Sequence, residues 1–292
     1  MAFIAQKALI LLKKTGEIVQ TLCIYGACGI VTFGWGLSRL LHFDCKGYAP
    51  LWFCAALFIY NLDRLKTDPA DMINTPHRSR KAARLRKASA ALAMLAAAAL
   101  VLVPMLERDW LMAAMAVCGG LFCANYSLSP LGFRFKDVPF VKTLFAPTIV
   151  TAALLGPPFL EQRAGGMLVH YAAVAAWTWC VLMFNMILCD LRDIRGDSST
   201  GIKSLPVALG AAGTIRLLCW LLGAIVLMSA AGLLQSPPGN VAAWRSLGLV
   251  TAPYLACLLA VARGAGPRPE CFYEWWVEGI LFLPALVYPF AR

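Results

Sequence analysis

Charged residues are scarce in this chain of 292 residues. Asp, Glu, Lys and Arg make up only 14% of it, whereas hydrophobic residues make up 60% and the mean hydropathy is +0.71. Such values exclude an ordinary soluble domain. The hydrophobic runs lack the period-two alternation of an outer-membrane barrel, and many approach the ~20 residues with which a helix crosses a membrane. We therefore predict an all-α, polytopic membrane protein.

Paired metal-binding cysteines are also missing. The 11 cysteines stand mostly singly in hydrophobic runs, and no CxxC pair occurs. They are typical of small, reduced core residues rather than of disulfides or a zinc site. Acidic residues are few, so the net charge is +11. Because the basic residues are unevenly spread, this excess indicates membrane topology and anionic partners, and we predict no nucleic-acid partner.

Nine hydrophobic segments are predicted to span the membrane as helices around a central cavity. They cover residues 20–41, 48–63, 88–106, 110–128, 139–160, 168–189, 211–233, 243–263 and 272–290. Spans one to four and five to eight look like two repeated four-helix units, with the ninth span at the periphery. Residues 1–15 are predicted to form an amphipathic helix on the membrane surface, and no cleavable signal is evident.

Positive charge distinguishes the two sides of the membrane. If the loops alternate between sides, the amino terminus and the loops after spans two, four, six and eight hold 20 of the 26 Lys and Arg residues. The positive-inside rule places these segments in the cytoplasm. We expect the cell inner membrane, with both acidic segments described below on its cytoplasmic side.

The sixth span ends in a concentration of acidic residues. The sequence from Asn185 to Gly210 reads NMILCDLRDIRGDSSTGIKSLPVALG. Asp190, Asp193 and Asp197, which we call the second cluster, share one face if the helix continues. Three anions this close stay ionised only with cations among them, and Mg²⁺ suits carboxylates that also hold a phosphate. The alternative is an acidic loop at the membrane surface.

Another acidic segment follows the second span, in YNLDRLKTDPADMINTPHRSRKAARLRK. Its acids Asp63, Asp68 and Asp71 form what we call the first cluster. Asn61, Asp68 and Asp71 can line one helix face, whereas Asp63 points elsewhere unless Pro69 or local unwinding re-aims it. Charged groups at a membrane boundary that face a bundle interior suggest function.

Basic residues surround the first cluster. Arg64, Lys66 and Arg78 lie nearest its carboxylates and are candidates for holding a phosphate. The other basic residues of this loop fit contact with anionic membrane lipid.

The segment between spans four and five, NYSLSPLGFRFKDVPFVKTLFAP, is also polar. Tyr126 ends one helix, and Arg134, Lys136 and Lys142 carry charge towards the next. Lys142 is on an otherwise apolar face, where a lysine is costly without an anionic partner. Snorkelling of its ammonium group to the interface is the alternative.

Together these motifs resemble the UbiA-type intramembrane prenyltransferase superfamily. The resemblance rests on the two Asp-rich motifs, the NTPHR segment, the YSxxP…K…P..K segment and the DxxDxxGDxxxGIKSLPVxLG run. It extends over nearly the whole chain and implies that residues 1–292 form a single UbiA-like transmembrane domain. The first motif departs from the family form Asn-Asp-x-x-Asp-x-x-x-Asp, because Leu62 follows Asn61 and Thr67 replaces an acid.

The resemblance implies that Mg²⁺ ions bridge the diphosphate of an isoprenoid donor. The candidate metal ligands are Asp63, Asp68, Asp71, Asp190, Asp193 and Asp197, and which acids of the first motif bind stays open. The candidate catalytic residues are Lys142, Tyr126, Arg64 and Arg192. The candidate substrate-binding residues are Asn61, Lys66, Arg78, Lys136, Asn185 and Lys203.

The implied reaction is Mg²⁺-dependent transfer of a prenyl group from an isoprenyl diphosphate to a lipophilic acceptor. We expect an aromatic acceptor, and an alcohol is the alternative. Electrostatic stabilisation in a water-poor cavity would support ionisation. Candidates for cation–π contact with the allylic cation are Tyr60, Trp177, Trp179 and Phe184. For each of them, an ordinary role in helix packing is the alternative, and we favour it. Alternatives are a membrane terpene cyclase, a transporter or lipid-binding protein, and a catalytically silent relative. The sequence leaves the acceptor, the donor chain length and the oligomeric state open.

Overall fold

The structure, a computed structural model, describes residues 14–130, 132–162, 168–235, 238–264 and 268–287. Residues 1–13, most of the predicted amphipathic segment, lie outside this description. Every regular element in the described residues is helical. The longer helices are α1 (Ile24–Leu41), α2 (Tyr48–Asp63), α3 (Pro69–Asn74), α4 (Pro76–Arg84), α5 (Arg86–Leu106), α6 (Trp110–Ser127), α7 (Val141–Gln162), α8 (Leu168–Ser199), α9 (Leu205–Gln235) and α10 (Pro238–Arg263).

Within the described ranges, seven helices are long and apolar enough to cross a membrane: α1 and α5 to α10. This confirms the prediction of an all-helical, multi-pass membrane protein, but it does not confirm the predicted count of nine spans. Helix α2 has 16 residues. The segment predicted as the ninth span consists of short turns, a π-helical turn at Phe272–Val277, a 3-10 turn at Glu278–Phe282 and helix α11 at Leu283–Val287.

Helix α8 forms the centre of the bundle. Trp177, Phe184 and Ile187 on this helix are fully buried, and α8 packs between α7 and α9. The outer helices instead turn large apolar side chains outward, for example Trp220 and Leu234 on α9. Outward-facing apolar side chains are what a helix in contact with lipid requires.

The first acidic segment does not continue as one helix. Helix α2 ends at Asp63, and α3 begins at Pro69 with Asp68 as its N-cap, whose side chain accepts a hydrogen bond from the Ala70 N–H at 3.0 Å. Pro69 is at the first helical position, where its missing N–H costs nothing. The shared helix face expected for Asn61, Asp68 and Asp71 is therefore absent, and Asp63, the last residue of α2, lines the cavity described below.

The carboxy-terminal segment packs against α1 rather than lying at the periphery, which corrects the prediction. Two glycines of α1 permit this close approach. A Cβ atom on Gly29 would lie 2.8 Å from Leu281 Cβ, and one on Gly36 would lie 2.4 Å from Pro284 Cβ. The segment thereby becomes part of the wall of the central cavity.

Candidate active site

A polar cavity of about 200 Å³ lies between the two acidic clusters. It is formed where the end of α2, the helices α3 and α4, the end of α6 and the last turns of α8 meet. Most of the candidate residues line it: Asp63, Arg64, Lys66, Asp68, Asp71, Arg78, Tyr126, Lys136, Lys142, Asp190, Arg192 and Asp193. Residues from three separate stretches of sequence thus share one space.

The second cluster is held around a lysine. Helix α8 continues to Ser199, so its three acids share a face, as predicted. The Lys142 ammonium group donates to both oxygens of Asp197, at 2.7 and 2.6 Å, and lies 3.6 Å from Asp190 and 3.9 Å from Asp193. All four side chains are buried. Lys142 therefore has the anionic partners that its apolar neighbours in sequence require.

Two further side chains fix the second cluster. The Thr143 hydroxyl donates to Asp190 at 2.5 Å, and the Arg192 guanidinium donates to both oxygens of Asp193 at 2.7 and 3.1 Å. Thr143 also accepts a hydrogen bond from the Leu205 N–H. Since Leu205 follows the GIKS segment, this contact ties that segment to the start of α7.

The first cluster is held more loosely, by Lys136 and Arg134. Lys136 lies 3.4 Å from Asp68 and 4.0 Å from Asp63, and Arg134 contacts Asp68 at 3.2 Å. Burial alone would raise the pKa of Asp68, but the Lys136 ammonium, the Ala70 N–H and the Arg134 guanidinium outweigh it and hold this pKa below its usual range. Burial raises the pKa of Asp71, in spite of the positive charges of Lys136 and Arg78.

Asn74, from the NTPHR segment, joins the two acidic motifs. Its amide group donates to the Asp193 carbonyl at 3.1 Å and accepts from the Gly196 N–H at 2.7 Å. A Cβ atom on Gly196 would lie 2.5 Å from the Ala70 carbonyl oxygen, so α3 approaches α8 closely only because this residue is glycine. Sequence reasoning assigned neither residue to the site, although both belong to the motifs quoted for the resemblance.

Four candidate residues lie outside the wall of the polar cavity. Asp197 is beneath it, paired with Lys142. Asn61 is fully buried and donates to the Leu22 and Leu57 carbonyls. Asn185 donates to the Val277 carbonyl. Lys203 has an exposed side chain, and its carbonyl accepts from the Phe140 N–H at 2.8 Å.

The polar cavity joins an apolar cavity of about 220 Å³ inside the bundle. Six residues line both and form what we call the neck: Tyr60, Asp63, Tyr126, Met186, Cys189 and Glu278. A further apolar cavity shares Trp52, Ala153 and other residues with the second one. Of the aromatic candidates, Tyr60 lies at the neck, whereas Trp177 and Phe184 are fully buried in helix packing.

Glu278 is the ionisable neck residue that sequence reasoning missed, along with Met186 and Cys189. It comes from the carboxy-terminal segment, which was expected at the periphery. The signal in the sequence is the last of three acids spaced four residues apart, Glu270, Glu274 and Glu278, which directly precedes the apolar run GILFLPALV.

The chemistry of the donor set fits Mg²⁺. Within the described ranges, no three His, Cys, Asp or Glu side chains are arranged around a common metal position. Instead, the Lys142 and Lys136 ammonium groups lie among the carboxylates. A cationic group within 4 Å of three buried carboxylates marks a strongly cation-attracting position, and carboxylate oxygens are the ligands that Mg²⁺ prefers.

The chain is similar in sequence to a known protein and in fold to several solved structures. A digeranylgeranylglyceryl phosphate synthase from Natronomonas pharaonis is 26% identical over 224 residues, which cover 76% of this chain and 75% of that protein. A UbiA homologue from Archaeoglobus fulgidus bound to GPP and Mg²⁺ has a TM-score of 0.59 at 14% identity, covering 94% of this chain and 98% of that one. The apo structure of a UbiA homologue from Aeropyrum pernix has a TM-score of 0.56 at 14% identity, covering 90% and 95%.

Membership of a family follows from the extent of the sequence match. The structural likeness, at 14% identity, shows a shared fold. The sequence model of the UbiA prenyltransferase family matches residues 51–278. This range is more than half of the chain and includes both acidic clusters and Glu278. The chain therefore belongs to the UbiA prenyltransferase family.

Proposed function

We propose that this prenyltransferase moves an isoprenyl group from an isoprenyl diphosphate to a lipophilic acceptor in an Mg²⁺-dependent reaction. The observation that carries the proposal is the direct connection between a charged cavity and an apolar one at the neck. A charged cavity suits the diphosphate, and an apolar cavity inside the bundle suits the isoprenoid chain. The A. fulgidus homologue was solved with GPP and Mg²⁺, and also with DMAPP and Mg²⁺, which supports this class of donor.

The residues of the polar cavity divide into two roles. The first cluster and the second cluster hold Mg²⁺, which when bound neutralises the charge of the diphosphate leaving group. Arg64, Lys66, Arg78 and Lys136 donate hydrogen bonds to the diphosphate oxygens. Lys142 and Arg192 keep the second cluster in place and add positive charge where the leaving group develops negative charge.

The neck holds the carbon that reacts. The aromatic rings of Tyr60 and Tyr126 lie there, and Tyr126 is supported by a stacked contact with Phe145, with ring centroids 4.3 Å apart. These rings stabilise a delocalised allylic cation through their faces. The apolar walls beyond the neck exclude water, so that the cation meets an acceptor first.

We infer that both clusters face the cytoplasm, because 20 of the 26 basic residues belong to the predicted loops on that side. We propose that the membrane is the cell inner membrane. Reporter fusions after α6 and after α7 test the orientation. Activity of a cytoplasmic reporter after α6 and of an exported reporter after α7 is expected, and the reverse pattern would contradict it.

The proposal is tested by incubating the purified protein in detergent with a panel of isoprenyl diphosphates. Diphosphate release is measured with Mg²⁺ and with EDTA, and the extract is analysed by mass spectrometry after adding lipophilic phenols and alcohols. The acceptors include a geranylgeranylglyceryl phosphate, because the N. pharaonis relative is named for a digeranylgeranylglyceryl phosphate product. Asp197→Ala serves as the inactive control.

We expect Mg²⁺-dependent diphosphate release together with a prenylated acceptor. Release that yields only a rearranged hydrocarbon or terpene alcohol would replace transfer by cyclisation. Absence of release from every donor would contradict the proposal itself.

A further inference from the structure

Glu278 occupies an unusual place in the backbone. It begins the 3-10 turn Glu278–Phe282, immediately after the π-helical turn Phe272–Val277. A π turn adds a residue to a helical turn and is often found at functional sites, because it changes the direction of the side chains that follow. Here the change of helix type coincides with an acid at the start of an apolar run.

The carboxylate of Glu278 lies on the inner side of this segment. A Cβ atom built on Gly26 of α1 would lie 3.7 Å from Glu278 Oε2 and 3.4 Å from Tyr60 Cε2. The carboxylate is therefore beside Tyr60, and Glu278 lines both the polar and the apolar cavity. This places an acid at the boundary where the reacting carbon of the donor is proposed to lie.

Two carboxylates are present at the neck, and they differ in their partners. Asp63 accepts a hydrogen bond from the Ser127 hydroxyl at 2.9 Å and lies 4.0 Å from Lys136. For Glu278, no side-chain hydrogen bond and no ion pair within 4.0 Å is formed with any described residue. A carboxylate in an apolar bundle is costly without a partner. A carboxylate at the neck is therefore expected to interact with a substrate.

Three positive groups act on Glu278 from the polar side of the neck. Arg64, Arg78 and Arg192 attract its carboxylate, although none of them forms an ion pair with it within 4.0 Å. One nitrogen of Arg64 donates to the Gln20 and Thr21 carbonyls, and Arg192 is bound to Asp193. The Glu278 oxygens can therefore accept a proton from a molecule at the neck, whereas Asp68 and the second cluster are paired directly with cations.

We propose that Glu278 is the proton acceptor for the acceptor substrate, and that this substrate reacts through a hydroxyl group. The proposal rests on the prenyl transfer proposed above. The carbon–oxygen bond of the donor breaks, and its electron pair leaves with the diphosphate. A lone pair of the hydroxyl oxygen forms the new bond to the allylic carbon, and the hydroxyl proton passes to the Glu278 carboxylate.

The same carboxylate sets specificity. It accepts a hydrogen bond from a hydroxyl group and so orients that oxygen towards the allylic carbon. An acceptor whose reacting end bears a carboxylate would meet Glu278 and Asp63 together, and like charges in a low-dielectric site repel strongly. The neck therefore favours hydroxylated lipids over carboxylated aromatic compounds.

The test compares Glu278→Gln with Glu274→Gln in the purified full-length protein with Mg²⁺. The control removes the same charge one turn earlier, at a residue that lines neither cavity. Two quantities are measured. The rate of adduct formation is followed with a long-chain phenol and with a glyceryl ether alcohol. Cleavage of the donor bond is followed separately, by migration of a bridging ¹⁸O label into the non-bridging positions of the diphosphate.

We expect Glu278→Gln to lower the rate of adduct formation by about 100-fold, the usual effect of losing a general base, with label migration within about threefold of the wild-type rate and the KM for the donor unchanged. Glu278→Asp should restore part of the rate, and O-methylated acceptors should not react. A preference of the wild type for phenol or for alcohol identifies which hydroxyl source it uses.

The possible failures are distinguishable. Equal loss of adduct formation and label migration would overturn the proposal, since Glu278 would then act on the cation or on the fold. Unchanged adduct formation in Glu278→Gln would overturn it as well. A wild-type protein that neither releases diphosphate nor shows label migration would instead refute the transferase function on which the proposal rests.

Discussion

The two acidic clusters face one cavity but are built in different ways. The second cluster lies on one uninterrupted helix, with Asp190 and Asp197 at 1% and 0% exposure around a single lysine. The first cluster is spread over a helix end, an N-cap and a short helix, and the Asp63 side chain is 39% exposed. One cluster is preorganised by its backbone, whereas the other depends on loop contacts.

This difference suggests a division of work. A buried, helix-borne set of carboxylates keeps its geometry without ligand and cannot replace a lost member. A set on a broken helix can adapt its position, and a neighbouring acid can compensate for a loss. The second cluster is therefore expected to be the more sensitive part of the site, which the following substitutions test.

The largest effect is expected from Asp190→Asn. It should lower the rate of diphosphate release by about 10² to 10³-fold, the usual loss when a fixed electrostatic contact is removed. The matched change Asp68→Asn in the first cluster should cost only about 10-fold, because Asp63 and Asp71 remain. Both rates are measured at saturating Mg²⁺. Equal losses would show that the two clusters are equivalent.

Lys142→Met should reduce stability more than Lys136→Met. Removing Lys142 leaves three buried carboxylates without their cation, and breaking such a buried pair costs about 3–5 kcal/mol. Lys136 shares its carboxylate with Arg134, so its loss should cost less. Thermal unfolding in detergent with EDTA measures both. Mg²⁺ should then raise the unfolding temperature of Lys142→Met more than that of the wild type, and an unchanged response would contradict the assignment of this position to a cation.

Gly196→Ala should separate the two clusters. The added methyl group would meet the Ala70 carbonyl at 2.5 Å, and overpacking of this kind costs about 1–3 kcal/mol. Gly223→Ala is the matched control, because nothing lies within 4 Å of its Cβ position. The control should be neutral or slightly stabilising in thermal unfolding. If both variants behave alike, α3 does not depend on this close approach.

Ala153→Phe should leave both clusters unchanged and alter donor selection only. Ala153 lines both apolar cavities where they meet, so a larger side chain shortens the space for the isoprenoid chain. We expect kcat/KM for long donors to fall by about 10-fold relative to short donors, as steric changes in apolar pockets do. An equal fall for all donors would mean that the chain does not extend there.

The second cluster was predictable because a helix with regular spacing carries it. Asp190, Asp193 and Asp197 share a face for reasons of geometry alone, and Lys142 was recognised as needing an anionic partner. The first cluster was less predictable, since the sequence left open whether Asp63 points away or is re-aimed near Pro69. Only the structure shows that Asp63, the last residue of α2, lines the cavity. Trp177 and Phe184 were candidates for cation–π contact with helix packing as the alternative, and both are buried in helix packing.

The sequence by itself determined the membrane class, the helical fold, both acidic motifs and the membership of a prenyltransferase family. These follow from hydropathy, local spacing and motif, which are properties of neighbouring residues. Tertiary structure alone decided which residues meet across the chain: Lys142 with three aspartates, Asn74 with Gly196, and Glu278 at the neck. Such contacts join residues that are 48 positions apart in the closest case, Lys142 with Asp190, and depend on helix packing, which no local pattern records.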